Sequence, residues 1–289
     1  MFKLIARENM ALGVSAVAAA LFAVAGITWG LWIDSLVILF DGAYSLVSLL
    51  LSLLSLYAAR IVRRPANEKY PLGRGAVQPL VIAVKGMVIT LVCVLSLASA
   101  VAAVLEGGRA VSADKALVFA GVSVLGCALV WLYLKWAEGR EPSGLVVAEQ
   151  RQWFMDSVLS AAVLLGFGVA WGMEQSTWSG WAVYADPAMM IAISVYFIVV
   201  PVKMTVGAVR ELMLAAPSAE VTEEVHRALH AVGLVPEQVR MVKLGPDLMM
   251  EVSLPADWTG GTQRLKWRLL RQLTGLPVRP AIFIRSLVG

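Results

Sequence analysis

The sequence predicts an α-helical membrane protein, with six transmembrane helices followed by a small cytoplasmic αββαβ domain. The composition is 59% hydrophobic and only 15% charged, whereas a soluble domain is about half apolar and about a quarter charged. Six apolar stretches are each long enough to cross a bilayer, which takes roughly 20 residues. From about Arg210 onward, charged residues return and apolar residues become spaced apart. This change in composition separates a membrane region from a soluble one.

The membrane region is predicted to occupy residues 1–209, and the cytoplasmic domain residues 210–289. Cys93 and Cys127 stand in different spans without a CxxC spacing, so we interpret them as small packing residues. The predicted spans, in chain order, are residues 10–31, 37–59, 77–105, 116–136, 153–171 and 184–206.

Basic residues are distributed unequally between the two sides of the predicted membrane region. One side carries the Lys and Arg residues Lys3, Arg7, Arg60, Arg63, Arg64, Lys69, Arg74, Lys135, Arg140, Arg151, Lys203 and Arg210, and the other carries Arg109 and Lys115. Cytoplasmic loops are the ones enriched in such residues, so both termini are expected in the cytoplasm. We expect an integral, multi-pass protein of a bacterial inner (plasma) membrane.

The net charge of +4 then follows mostly from this topology and does not indicate nucleic-acid binding. Trp131, Trp136 and Trp153 fall near the inner ends of predicted spans. Tryptophan is enriched where the bilayer meets water, so these three side chains are expected in the headgroup layer.

Ionisable side chains inside the spans are the strongest functional signal, because a charge near the bilayer centre costs at least roughly 2.5–3.5 kcal/mol. Asp41 and Ser45 lie four residues apart in the second span. Gln152 and Asp156 repeat this spacing at the start of the fifth, and residues four apart share a helix face. Two such helices can place four oxygen ligands around one small cation. Oxygen ligands suit hard or borderline divalent ions, so the pattern predicts a metal site.

Alternatives remain open for several residues. Ser45 also belongs to a stripe of small residues that favours close helix packing. Gln152 is either a ligand or an interfacial residue, and Asp34, seven residues before Asp41, is either a vestibule carboxylate or a solvated group. Lys85 lies about eight residues inside the third span. Its ammonium either reaches the headgroups or pairs with one of the two span carboxylates.

The tail is predicted to fold in the order αββαβ. Val221, Val225, Leu229 and Val232 are spaced as on one helix face, and Gly233 is a typical helix stop. The segments QVRMVKLG and DLMMEVSLP are typical of strands, TQRLKWRLLRQLTG of a helix, and AIFIRSLV of a last strand. This order gives an open sheet with helices on one face.

Three motifs carry a resemblance to a known family. ARIVRRPANEKYPLGRGAVQPL follows the second span, ADPAMMIAISVYFIVV opens the last, and RELMLAAPSAEV leads into the tail. In this order and spacing they resemble the cation diffusion facilitator (cation efflux) family over nearly the whole chain. Its members carry a basic, proline-containing loop with a Y/H-P-x-G-x-G-type signature after the second span.

The resemblance implies a transport site in which the second and fifth spans each pair His or Asp with Asp, four residues apart. In this chain those positions hold Asp41 with Ser45, and Gln152 with Asp156. One carboxylate per helix is kept and one is replaced by a neutral oxygen ligand. No predicted span contains histidine, and this departure argues against a dedicated zinc site.

The function implied by the resemblance is a homodimeric secondary transporter in the lipid bilayer, not an enzyme. It would export a divalent cation (manganese, iron(II), cobalt, magnesium or zinc) from the cytoplasm in exchange for protons. The alternative is a non-transporting membrane scaffold or sensor that keeps the fold and dimerises; the missing site ligands and Lys85 favour it. In the family the tail dimerises and can bind regulatory metal. Here His226 and His230 are weak candidates, because two His residues without a third ligand are usually surface residues.

Overall fold

The structure is a computed structural model that describes residues 2–137, 144–255, 258, 260–275 and 278–286. The chain forms two compact units. The first contains the residues up to Ser52 together with Val88–Val199, and the second contains Leu53–Met87 together with the residues from Val200 onward. A domain boundary after residue 209 stays a prediction.

Six helices in the described residues are long and apolar enough to cross a membrane, which makes the chain an integral, multi-pass membrane protein. They extend beyond several of the predicted spans, because a helix continues through the polar headgroup layer beyond the hydrocarbon core. A 3₁₀ turn, Ser179–Tyr184, precedes the last of them. Their bounds are α1 Phe2–Ile33, α2 Leu36–Val62, α3 Val77–Leu105, α4 Ala113–Ala137, α5 Gly144–Glu174 and α6 Ala185–Leu212.

A buried carboxylate at the start of α6 caps the start of α2. Asp186 is 2% exposed and accepts a hydrogen bond from the Ser35 hydroxyl at 2.5 Å. It also accepts the backbone N–H groups of Leu36 at 2.8 Å and Val37 at 3.4 Å. The first N–H groups of a helix have no partner within the helix. Asp186 therefore satisfies two of them and joins α2 to α6 within the first unit.

The C-terminal part of the second unit confirms the predicted αββαβ order. Strand β1 pairs antiparallel with β2, and β2 pairs parallel with β3, so β2 lies in the centre of the sheet. The buried side of β2 alternates with its partly exposed side along the strand. The bounds are α7 Ala219–Ala231, β1 Val239–Leu244, β2 Asp247–Leu254, α8 Thr262–Gln272 and β3 Arg279–Ser286.

Helix α7 ends two residues before the predicted glycine. Gly233 has a φ of 81°, which glycine adopts without steric cost. The N–H of Leu234 then bonds to the carbonyl oxygen of Leu229 at 3.0 Å. Both helices contribute buried leucines to the core beside β2, whose buried members include Leu229, Leu248, Met250, Val252, Leu265 and Leu269.

Within the second unit, the loop after α2 and the end of α6 both contact the β1–β2 turn. A Cβ atom on Gly75 would lie 2.7 Å from the carbonyl oxygen of Leu244, so only glycine fits there without a shift. Glu211 of α6 accepts the N–H of Gly245 at 2.6 Å and pairs with Lys243 at 3.2 Å. Gly75, in the loop after α2, thus has a packing role against the sheet.

Candidate metal-binding site

Glycines bring α1 and α2 into close contact beside Asp41. A Cβ atom on Gly26 would lie 2.7 Å from the Cα of Gly42, and one on Gly30 would lie 2.7 Å from the Cα of Leu39. Only residues without a side chain allow backbones to approach this closely in a membrane bundle. Because Gly42 follows Asp41 directly, this crossing fixes the position of the carboxylate along the bundle.

The structure brings Asp41 of α2 and Asp156 of α5 together. Both side chains are half-buried, and the two carboxylates are near enough for their charges to interact. The thiol of Cys127 on α4 interacts electrostatically with both, and the hydroxyl of Tyr44 interacts with Asp156. Two like charges away from bulk water repel each other, and a bound cation or proton relieves this repulsion.

Asp41 also lines a small cavity bounded by α2, α4, α5 and α6. Its volume is about 20 Å³, and about 10–15 Å³ is enough to hold one water molecule. The other polar lining residues are Ser123 of α4 and Ser160 of α5. The Ser123 hydroxyl is buried without a hydrogen-bond partner in the described residues, whereas Ser160 hydrogen-bonds to Cys127.

Ser123, Cys127 and Ser160 were not among the predicted site residues. A signal was present in the sequence, because Ser123 and Cys127 are four apart on α4, and Asp156 and Ser160 are four apart on α5. This is the spacing that identified the predicted pairs. Small residues at such spacing are also the usual packing residues of membrane helices, so the sequence alone does not distinguish the two roles.

Ser45 and Gln152 are the two neutral residues of the predicted site. Ser45 is half-buried one turn after Asp41, and Gln152 is exposed one turn before Asp156. In the described part of the chain, neither hydrogen-bonds to either carboxylate. Their roles as ligands stay predictions.

Asp34 pairs with Arg109 in the loop between α3 and α4. The Arg109 Nε–H donates to Asp34 Oδ2 at 2.7 Å, and Nη2 donates to Oδ1. This hydrogen bond raises the pKa of Arg109 above its ordinary value. Asp34 remains 62% exposed at its side chain, so an ion pair of this kind contributes only about 0–1 kcal/mol. A vestibule role for Asp34 stays a prediction.

The remaining predicted residues lie in the second unit. Lys85 is half-buried on α3, and among the described residues no carboxylate of its own unit pairs with it. Its pairing with Asp41 or Asp156 stays a prediction. His226 is half-buried and His230 exposed on α7. Metal binding by this pair also stays a prediction, and the described residues contain no cluster of three His, Cys, Asp or Glu side chains suited to hold a metal ion.

A second carboxylate on α5 was missed by sequence reasoning. Glu149 lies seven residues before Asp156, on the same helix face, and its charge interacts with Asp156. The Ser15 hydroxyl of α1 donates to Glu149, and the Nε1–H of Trp153 donates to the Ser15 oxygen at 2.8 Å. The seven-residue spacing was the available signal.

Trp153 lies at the start of the fifth candidate span, and its ring faces the interior of the bundle; its depth in the headgroup layer stays a prediction. Its side chain is only 5% exposed, and its ring packs edge-on against Phe22 of α1 at 5.8 Å. The Ser15 oxygen satisfies its N–H inside the bundle, so this tryptophan needs no water or headgroup partner.

Comparison with known proteins gives two matches. A family model described as a cation efflux transmembrane domain matches residues 12–213, a range that includes both Asp41 and Asp156. The zinc transporter ttm-1 of Caenorhabditis elegans is 27% identical over 133 residues, which is 46% of this chain and 32% of that relative. The aligned stretch therefore spans about a third of the length of this curated relative.

Proposed function

The chain belongs to the cation efflux family, and on this premise we propose that it exports a divalent metal cation from the cytoplasm in exchange for protons. Membership confirms the resemblance found in the sequence motifs. It also confirms that the chain is not an enzyme, since the members of this family are transporters.

The observation that carries the proposal is that two carboxylates from different helices of the bundle lie near enough for their charges to interact. Asp41 and Asp156 are half-buried and their charges interact. Removing carboxylates from water is costly unless each gains a partner. A divalent cation supplies a partner for both at once, and protons supply partners when the cation has left. The same two groups then serve as ligands in one state and as proton carriers in the other.

The oxygen-rich character of the site favours a hard or borderline cation. Asp41, Ser45, Gln152 and Asp156 offer only oxygen ligands, so we propose manganese, iron(II), cobalt or magnesium as cargo. The name of the C. elegans relative makes zinc the competing cargo. Zinc in proteins is bound mostly by thiolate and imidazole, and neither is supplied by these four positions.

The direct test is ion flux in liposomes that contain the purified full-length chain. Vesicles with an imposed pH gradient are given manganese, iron(II), cobalt, magnesium or zinc, and the appearance of each ion inside is followed. We expect flux of at least one of these ions above that of protein-free vesicles. Absence of flux for every ion would contradict the proposal and favour the scaffold or sensor alternative.

Selectivity should depend on Gln152. We expect Gln152→His to raise the ratio of zinc to manganese flux by roughly tenfold, since imidazole binds zinc better than an amide oxygen does. Gln150→His is the matched control, because residues two apart on a helix point to different sides. The prediction is wrong if zinc dominates in the wild type and Gln152→His leaves the ratio unchanged.

We propose a homodimer that assembles through the C-terminal domain. Trp267 of α8 and Phe283 of β3 are 65% and 49% exposed, and large exposed apolar side chains are common at protein interfaces. The expected mass in detergent, by light scattering with the detergent contribution removed, is about twice the chain mass of 31.0 kDa. A mass of one chain at micromolar concentration would contradict the dimer.

For localisation, we propose a bacterial inner membrane with both termini on the cytoplasmic side. The support is the excess of Lys and Arg in the loops on that side of the six spans.

A further inference from the structure

The cavity beside Asp41 is lined by a serine hydroxyl that has no hydrogen-bond partner in the described residues. Ser123 is 3% exposed, and its hydroxyl has no hydrogen-bond partner in the described residues, although most buried hydroxyls are paired. It lines the same cavity as the Asp41 carboxylate. Within the first unit, no described donor hydrogen-bonds to that carboxylate. The half-buried carboxylate and the buried hydroxyl thus line one small cavity, and no hydrogen bond joins them.

A third oxygen comes from α5. Ser160 lines the cavity and is 8% exposed. It lies four residues, or about one helical turn, from Asp156, a distance of about 6 Å along the axis. The lining residue Ser160 therefore shares a face of α5 with Asp156, and the cavity lies towards the end of the bundle where α2 and α4 begin.

We propose that Asp41, Ser123 and Ser160 form a second cation position, one turn of α5 away from Asp156. This inference rests on the proposed function. It adds α4 to the helices that bind the cation. The volume of about 20 Å³ admits a single atom-sized ligand, so the cation enters this position largely dehydrated. The three oxygens replace part of its water shell, as hard divalent ions require.

The chemistry of this position suits passage of the cation. One carboxylate and two neutral hydroxyls bind a divalent ion more weakly than two carboxylates do, because ligand charge sets affinity. A cation shared first between Asp41 and Asp156 can then shift towards Ser123 and Ser160 while Asp41 remains its ligand.

The experiment measures binding of Mn²⁺ and Cd²⁺ to the detergent-purified full-length protein by calorimetry. We expect Ser123→Ala to weaken Mn²⁺ binding by roughly tenfold, the usual size of losing one supporting group at a metal site. We expect Ser123→Cys to raise the Cd²⁺-to-Mn²⁺ affinity ratio by roughly tenfold or more, because a thiol prefers the softer ion. A residue with a packing role only would not change this ratio.

Ser194 provides the matched control. It is fully buried on α6, its hydroxyl has no hydrogen-bond partner among the residues that the structure describes, and it does not line the cavity. Ser194→Ala and Ser194→Cys are expected to keep the wild-type affinities for both ions. Equal shifts in the Ser194 and Ser123 variants would overturn the inference, because the effect would then come from general packing.

The binding data distinguish failure of the second cation position from failure of the proposed function. If Asp41→Asn abolishes Mn²⁺ binding while both Ser123 variants match the wild type, the second position is wrong and the proposed function stands. If the wild-type protein binds neither ion, the second position is wrong, and the flux test over all five candidate cations decides the proposed function.

Discussion

Asp41→Asn and Asp156→Asn are each expected to lower divalent-cation flux by about 100-fold or more. Each change keeps the shape of the side chain and removes one of the two charges that meet inside the bundle. A single carboxylate binds a divalent cation more weakly than two carboxylates do. The amide of asparagine also cannot take up and release the exchanged proton. Initial rates of cation entry into proteoliposomes, at equal protein content, measure the effect.

Asp114→Asn is the control for these two variants. Asp114 is exposed in the first turn of α4, so its flux should remain close to that of the wild type. Size-exclusion profiles must show that all three variants keep the wild-type assembly. Near wild-type flux in both Asp41→Asn and Asp156→Asn would rule out the shared site.

Asp186→Ala is expected to cause the largest loss of stability. The change removes the acceptor for Ser35 and for the N–H groups of Leu36 and Val37. It leaves buried donors unpaired at the start of α2. Loss of such charge-assisted bonds costs about 3 kcal/mol, which corresponds to roughly 5–10 °C in the thermal unfolding midpoint of a chain of this size. Thermal unfolding of the detergent-solubilised protein measures the shift.

Two further variants test whether the loss of stability comes from the hydrogen bonds of Asp186. One keeps an acceptor oxygen without the charge, and the other removes a different carboxylate. Asp186→Asn keeps one acceptor oxygen and should lose less stability than Asp186→Ala. Asp34→Ala breaks the exposed pair with Arg109 and should cost only about 0–1 kcal/mol. An Asp186→Ala protein that unfolds with the wild-type midpoint would show that the cap contributes nothing.

The sequence was sufficient for the parts of the fold that depend on local pattern. Six spans followed from the length of the apolar runs, and the αββαβ tail followed from strand alternation and from Gly233, which has the left-handed conformation of a helix stop. Asp41 and Asp156 were identified because a carboxylate in a span is costly. Both belong to the first compact unit, where their charges interact.

The faces along which the membrane helices meet were not predictable. In lipid, the outer and the inner surfaces of a helix bundle are both apolar, so hydrophobic periodicity does not show which side is buried. For this reason neither the burial of Trp153 nor that of Ser123 was predictable. Both are buried. The capping role of Asp186 was not predictable, because its partners lie about 150 residues away in the chain.

The most direct test of cation–proton exchange measures both ions in the same vesicles. Proteoliposomes are loaded with a fluorescent metal indicator and a pH indicator, and a divalent cation is added outside. We expect cation entry to be accompanied by proton exit, and we expect Asp41→Asn and Asp156→Asn to abolish both signals together. Cation entry without proton exit in the wild type would contradict the exchange mechanism, and neither signal in the wild type would contradict transport.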